Sequence, residues 1–527
     1  MTAPRPATSP WRRVVTATIT VVFGFGLAKL VGFARQIIVA HAFGTSWQMD
    51  AYSAAFEPAD VLFTIISVGA LGTAFIPVLT DFLDRREDEA ADRLTSAVLT
   101  LTFIIGLGLA VVLALVATPI VETSVARGFS PEGQALTAQI LRIVLIAQVV
   151  LGVSGVMGSA LQAHQHFLLP ALAPSLYNVG IIVGALVLAP RMGIYGLAWG
   201  AAMGSCLGLL VQAPGFRRFR IHYRPHLGLQ NPAVRKVGVL TVPRFLNLAI
   251  FNFTMFFNTT LASTLVTGSV VAFFMGWSVM QLPETIFATA VGTAVFPTMA
   301  EMASRNQLDR LRSTMAGTLR GIWALTIPTA FGMLILGQPL VAVMFQRGAF
   351  DAQSTALVAA SLWGWCLGLI AHSSLEIVSR TFFAMKNTFT PFKVAFVCML
   401  INMGLALALR EPLGVTGLAL ANSIAFSIEA LVLLFLLRRR IAGVEGQWLL
   451  VGLGKILASA LVASAVMFFL RTLLADQRSI VILAIVGLAG ALVYVAGVLL
   501  LGLDEARLVL RLVSQRLQRR APAPIGE

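Results

Sequence analysis

Residues Ala70–Phe82 read ALGTAFIPVLTDF, and Ala290–Met302 read AVGTAVFPTMAEM, an offset of 290 − 70 = 220 residues. Ala163–Pro170 (AHQHFLLP) pairs with Ala384–Pro391 (AMKNTFTP) at 391 − 170 = 221. Gly193–Ala198 (GIYGLA) pairs with Gly414–Ala419 (GVTGLA) at 414 − 193 = 221. The dipeptides Arg127-Gly128 and Arg347-Gly348 also coincide, at 220. Each match alone is weak, but matches that share one offset mark an internal duplication. The offset covers six of the spans delimited below, so the second copy enters the membrane facing the same way as the first. Such parallel repeats are related by an axis along the membrane normal, and transporters bind substrate between them.

Composition makes the membrane unavoidable. Of the 527 residues, 58% are hydrophobic and 12% charged, with a mean hydropathy of +0.87; soluble domains carry about 25% charged residues. Apolar runs of about 20 residues, enough to cross some 30 Å of hydrocarbon, recur from Val14 to Leu501. The predicted architecture is an all-α polytopic membrane protein of about fourteen transmembrane helices. Two parallel six-helix lobes, residues 1–230 and 231–440, are followed by two extra helices in 441–503 and an amphipathic tail in 504–527. The first apolar run carries Lys29 and Arg35 and lacks a small-residue cleavage site after it, so a retained span is expected rather than a signal peptide.

The net charge of +15 does not point to nucleic acid. Its basic residues sit in short loops between spans: Arg12-Arg13, Arg85-Arg86, Arg217 to Arg224, Arg305 to Arg312, Lys386 and Arg438 to Arg440. The alternate loops hold mostly single ones, such as Arg127, Arg191, Arg347 and Arg410. Positive charge is retained on the cytoplasmic side, which places both termini there. From Asp504 to Arg520, Leu and Val alternate with Arg at helical spacing, as in a helix lying on the anionic leaflet.

Ionisable groups at bilayer depth cost about 2.5–3.5 kcal/mol each and require a partner or a wet cavity. Arg35 is the first candidate for binding substrate and Lys29 the second. Six residues apart on one helix, they lie about 120° from each other. Arg244, beside the helix-opening Pro243, and Arg380 follow. Glu57-Pro58-Ala59-Asp60 sets two carboxylates one turn apart beside a proline, either as a cation or proton site or as partners for Lys29 and Arg35. Asp50 suits a helix N-cap. Pro283-Glu284 suits the first turn of a half-helix. Glu376 and Arg380 stand in the favourable i,i+4 order for an ion pair. Glu429 needs a partner that the sequence does not display. Cys206, Cys366 and Cys398 lie in apolar runs without metal or redox spacing, and no histidine set suits a metal, so no cofactor is expected. The absence of GxxxxGK[ST] leaves no ATPase of the chain's own, and no catalytic constellation points to an enzyme.

Several stretches resemble the MurJ (MviN) lipid II flippases of the multidrug/oligosaccharidyl-lipid/polysaccharide exporter superfamily. They include Lys29–Arg35 (KLVGFAR) with Ile37–Gly44 (IIVAHAFG), Asp50-Ala51, Gly69–Pro77, Arg127–Phe129, Pro170–Asn178 (PALAPSLYN), Phe345–Phe350 (FQRGAF) and Ser379–Val394. The resemblance runs over nearly the whole chain. It implies a cavity between two lobes, with helices 13–14 lining a groove for a lipid tail. The implied substrate is a polyprenyl-pyrophosphate-linked peptidoglycan precursor, moved to the outer leaflet of the bacterial inner membrane, and membrane lipids are its surroundings. Cell-wall synthesis or division proteins are the expected neighbours, and no nucleic acid is. A basic cavity suits pyrophosphate because arginine grips it bidentately. The chain departs from the family pattern at Ala28-Lys29 and Arg35-Gln36, and at Glu57, Phe63 and Thr64. It departs again at Trp277, Ser278 and Gln281, where the family typically carries charge. Those losses keep three rivals open: a flippase for another lipid-linked oligosaccharide, a cation-coupled small-molecule antiporter using Glu57 and Asp60, and a non-transporting scaffold.

Overall fold

The computed structural model describes residues 10–70, 75–441 and 443–503, with the side chains of 10–23, 25, 67–70 and 240–247 set aside. The expected amphipathic tail at 504–527 lies outside the described residues. So does the part of the first repeat motif at 71–74.

Within the described residues every regular element is helical, as lipid demands, since a helix satisfies its backbone groups internally. The first half runs α1 (Pro10–Phe43), α2 (Trp47–Ala70), α3 (Phe75–Asp84), α4 (Asp88–Leu115), α5 (Ala117–Thr123), α6 (Pro131–Ala163) and α7 (Leu168–Val183). After a π-turn at Gly184–Leu188 come α8 (Ala189–Met192), α9 (Tyr195–Leu210), α10 (Ala213–Arg218) and α11 (Pro232–Ala262). The second half opens with α12 (Ser269–Glu284), a π-turn at Thr285–Thr289, α13 (Ala290–Ser304) and α14 (Leu308–Phe345). It ends with α15 (Ala352–Cys366), α16 (Leu369–Ala384), α17 (Phe389–Arg440), α18 (Gly446–Leu473) and α19 (Ser479–Leu500). Ten helical segments among the described residues are long and apolar enough to span, or eleven if the pair α15 and α16, bent by 46°, is one span. Fourteen is therefore not the number that length and apolarity return. One reason is α17, which counts once although Gly414 breaks it with a left-handed φ of 57°. Another is α2, whose Asp50, Glu57 and Asp60 dilute its apolar character.

The duplication is written into the backbone. Arg86 and Asn306, 220 apart, both adopt positive φ, as do Gln165 and Lys386, and Gly193 and Gly414, each pair 221 apart. At Arg86 and Asn306 the turns close identically: Glu87 N–H donates to the Phe82 carbonyl and Gln307 N–H to the Met302 carbonyl, each at 2.9 Å. His166 to Leu161 and Asn387 to Phe382 repeat that bond at 2.9 Å. This is the helix-ending motif in which the sixth residue returns to the first.

The chain forms two compact units, residues up to Val270 together with Arg347–Asp351, and Val271–Gln346 together with the rest. By packing, the first unit runs past the expected boundary at 230, because α11 lies against α2. Its centre is a core in which α2 and α6 contribute Leu62, Ile140, Leu141 and Val144. Side-chain caps begin two of its helices: Ser130 accepts the Gly133 N–H at 3.2 Å, with Pro131 following, and Asn231 accepts the Ala233 N–H at 2.9 Å, with Pro232 following. Helix α7 and the π-turn that follows it meet α9 through glycines at every fourth position, Gly180 of α7 and Gly184 of the turn against Gly196, Gly200 and Gly204. Small residues so spaced let backbones touch, the usual means of helix association in lipid.

In the second unit, Leu311, Met315 and Leu319 of α14 form a core with Ile377, Phe382 and Leu433. The two extra helices dock on α14: the Arg320 guanidinium lies 3.7 Å from the Trp448 ring centre, and Tyr494 donates to the Ala324 carbonyl at 2.7 Å. Large apolar side chains left exposed, such as Phe103 and Ile104 on α4 and Phe468 and Phe469 on α18, form the surface that lipid covers.

Candidate functional site

In the first unit, polar groups gather where α1, α2, α6 and α7 pack. Arg35 emerges from α1 half-buried, while Lys29, a turn and a half earlier, is exposed. Gly32 brings α1 against Asn178 of α7, whose side-chain amide returns to the Pro174 carbonyl at 3.0 Å. From α2 come Tyr52, Glu57 and Asp60; from α7 comes Tyr177. Arg35 and Asp60 each lie within electrostatic reach of both tyrosines. Asp60 accepts a hydrogen bond from Gln148 Nε2 of α6 at 2.7 Å. Glu57 is buried beside it, 7% exposed. Among the described residues no ion pair within 4 Å joins Lys29 or Arg35 to Glu57 or Asp60, so the carboxylates do not neutralise the arginine directly. Pro58 sits inside a continuous α2 and leaves it unbroken.

The other expected residues fall elsewhere. Asp50 is not the N-cap of α2: that place belongs to Ser46, whose Oγ accepts the Met49 N–H at 3.3 Å. Asp50 is buried in the first turn and accepts the Gly268 N–H at 2.5 Å, fastening the turn before α12, where Gly268 needs its positive φ. Arg244 lies on α11, which runs through Pro243 without interruption; its side chain is outside the described ones. On α11, Asn252 donates to Thr64 Oγ1 of α2 at 2.8 Å.

In the second unit Arg380 is bound to Glu376, with Nε donating to Oε2 at 2.9 Å, and its stem fills the space over Gly292. Pro283-Glu284 ends α12 rather than starting a helix, and Glu284 leads into the π-turn. Two neighbourhoods escaped the sequence. Gln148, a neutral amide in an apolar helix, carried no charge to flag it. His372 was visible as a histidine inside an apolar run, spaced i,i+4 with Glu376, but its partners come from distant positions. It lies 3.5 Å from Glu284, with its ring edge-on to Trp277 and Phe426 at 5.2 and 4.8 Å. Trp277 itself is closed against Trp365 at 4.6 Å, so a position at which the family resemblance led charge to be expected is here part of an aromatic packing.

Duplicated helical halves, charges at spanning depth and helices that break there define a multi-pass membrane transporter fold. The family model described as "Lipid II flippase MurJ" matches residues 39–488, and the chain belongs to that family. The lipid II flippase MurJ of Burkholderia cenocepacia is 29% identical over 430 residues, covering 80% of this chain and 83% of that one. The probable lipid II flippase MurJ of Thermotoga maritima is 29% identical over 412 residues, covering 78% and 83%. A solved lipid II flippase MurJ in an inward closed conformation superposes with a TM-score of 0.76 at 24% identity, over 92% of this chain and 98% of that one. An inward-facing multidrug resistance transporter of the MATE family and the MOP superfamily gives a TM-score of 0.67 at 16% identity, over 80% and 96%. These last two likenesses speak for the fold.

Proposed function

We propose that the chain translocates lipid II, the polyprenyl-pyrophosphate-linked peptidoglycan precursor, from the inner to the outer leaflet of the bacterial inner membrane. The observation that carries this is the family match over 39–488, with relatives named as lipid II flippases along most of their length. Both termini face the cytoplasm, on the strength of the arginine-rich alternate loops. The lobes at 1–230 and 231–440 alternate access, and the helices of 441–503 line the path of the lipid tail.

Arg35 supports the reading chemically. It is half-buried, among the described residues no carboxylate pairs with it within 4 Å, and a guanidinium so placed can fork onto a pyrophosphate. Lys29 adds a point charge on the same helix, and Arg244 is the third binding residue. Arg380 ranks last because Glu376 already holds it. With no nucleotide-binding loop in the chain, the driving force is an ion gradient, the membrane potential or the substrate's own gradient.

Complementation tests the function: the protein is expressed in a bacterium depleted of its own lipid II flippase, and survival and surface-exposed lipid II are scored. Rescue that is lost in Arg35→Ala at equal membrane abundance is the expected result. No rescue by abundant wild-type protein overturns the lipid II assignment and favours another lipid-linked oligosaccharide. The replacement of family charges by Phe63, Thr64 and the packed Trp277 is the observation behind that second reading.

A further inference from the structure

A proline inside a helix lacks the N–H that would bond the carbonyl four residues back, and sharp kinks commonly follow. Helix α14 contains two such prolines, Pro328 and Pro339, yet runs as one α-helix from Leu308 to Phe345. The carbonyls of Ala324 and Ile335 are the groups left over, and in lipid an unmet carbonyl is costly. Both are met from the two extra helices. Tyr494 of α19 donates its hydroxyl to the Ala324 carbonyl at 2.7 Å, and Arg471 Nη1 of α18 donates to the Ile335 carbonyl at 2.5 Å. Each bond is set in apolar packing. Tyr494 lies against a core that includes Ile327 and Val498, and Ile335 against one that includes Met467 and Val486. Arg471 stands in the last turn of α18, half-buried. Among the described residues it forms no ion pair, although Asp476 follows five residues later.

This provision is selective. Pro58, Pro174, Pro283, Pro297 and Pro412 also lie inside helices. Among the described residues no side chain donates to the carbonyl four residues before any of them.

The duplication supplies the comparison. At the offset of 220, Pro339 corresponds to Pro119 and Ile335 to Leu115. There the helix does not continue: α4 ends at Leu115, Val116 departs from helical geometry with ψ of 12°, and α5 begins at Ala117. Arg142 of α6 is close by, but it donates to the Ala114 carbonyl and to Thr118 Oγ1, each at 3.1 Å. It ties the two ends of the break and leaves the Leu115 carbonyl alone. One copy thus has the proline and a broken helix; the other has the proline, a donor on the freed carbonyl and a continuous helix.

We propose that α18 and α19 splint α14: Arg471 and Tyr494 stand in for the N–H groups that Pro339 and Pro328 lack, and without Arg471 the helix breaks at Leu336 as its duplicate breaks at Val116. Both are positioning residues, and the splint is independent of what the chain transports. The continuity of α14 near its end is then set by one side chain from a helix outside the duplication.

Hydrogen exchange on the full-length protein in lipid nanodiscs tests the splint, read in the segment 336–345 with α6 as reference. Arg471→Met keeps the apolar stem and removes the donor. Exchange in 336–345 should quicken about tenfold or more, as loss of a hydrogen bond from a charged group implies, while α6 keeps its wild-type rate. Pro339→Ala returns the missing N–H, so in that background Arg471→Met should quicken exchange by less than about twofold. Unchanged exchange in Arg471→Met overturns the splint, and so does equal quickening in the two backgrounds, which would make Arg471 an ordinary packing residue. Should Arg471→Met alone fail to fold, adding Pro339→Ala should recover monodisperse protein, and a double variant that still misfolds overturns it equally. Tyr494→Phe should lower the melting temperature of the wild type and not of Pro328→Ala; equal lowering in both overturns the part assigned to Tyr494.

Discussion

Replacing Gly180 by alanine asks whether α7 and α9 touch as closely as their glycines imply. The added methyl carbon would stand 2.3 Å from Gly204 Cα, 2.5 Å from Gly204 N and 2.6 Å from the Gly200 carbonyl oxygen. All three are backbone atoms, so no side chain can swing aside. Ordinary carbon contacts begin near 3.5 Å, and the helices must part by roughly 1 Å. A gap of 0.5–1 Å forfeits a quarter to a half of each dispersion contact along the seam, and overpacking of this kind costs about 1–3 kcal/mol. Alanine returns up to about 1 kcal/mol through helix propensity, which leaves a net loss near 2 kcal/mol at the upper end. At about 2–4 °C per kcal/mol, detergent-solubilised Gly180→Ala should melt roughly 4–8 °C below wild type. Gly108→Ala is the control, since a methyl there meets nothing within 4 Å, and it should melt at or slightly above wild type. Equal melting of the two variants in fluorescence-detected thermal unfolding would refute the close seam. Because α7 also carries Tyr177 and Asn178, the seam sets the wall against which Arg35 stands.

Other outcomes follow from single contacts. Gln148→Leu removes the donor at 2.7 Å from Asp60 and leaves a buried carboxyl short of a partner. A loss of about 1–3 kcal/mol is expected in thermal melts, whereas Gln148→Glu should be worse through like charge. Arg320→Ala strips the cation from the Trp448 face and opens a void over Gly452. At about 2 kcal/mol for a desolvated cation–π pair, α18 should become the first helix cleaved in limited proteolysis, and intact α18 under those conditions would contradict the contact. His166 lies in the loop between α6 and α7, where burial and then the nearby Arg218 hold its protonation below the ordinary 6.5. Its neutral form is the one the fold favours. That contribution is complete above pH 6.5 and is lost as pH falls through the depressed folded value. Stability measured from pH 7.5 down to 5 should fall less steeply in His166→Gln, and an unchanged slope would refute it.

The architecture was legible because duplication repeats turn chemistry as well as apolar runs. Arg86 with Asn306 and Gln165 with Lys386 occupy matching left-handed positions, and Gly193 with Gly414 could be paired from spelling alone. The α7–α9 seam was present in the text as Gly196, Gly200, Gly204 and Gly208, four apart, yet periodicity does not say which helix it faces. The sites were less legible for a related reason. An i,i+4 pair such as Glu376 and Arg380 is local and can be read off, while Glu429 and His372 belong to different helices. Asp60 looked as though it needed a cation and found an amide, since hydrogen-bond donors need not be charged. Asp50 had the composition of a cap, but Ser46 had already taken that place.

The membership of Arg347–Asp351 in the first unit has a consequence for how the protein is made. Ala349 N–H donates to the His41 carbonyl at 2.9 Å, and Gly348 is pressed so closely on His41 that a methyl would stand 2.3 Å from its ring nitrogen. The ribosome must add Val271–Gln346, 346 − 270 = 76 residues, before this short segment exists. At about 5–20 residues per second, the nascent first unit waits some 4–15 seconds with the His41 edge bare. During that interval the edge is open to insertases and chaperones, and a chain interrupted between Val270 and Arg347 would never cover it.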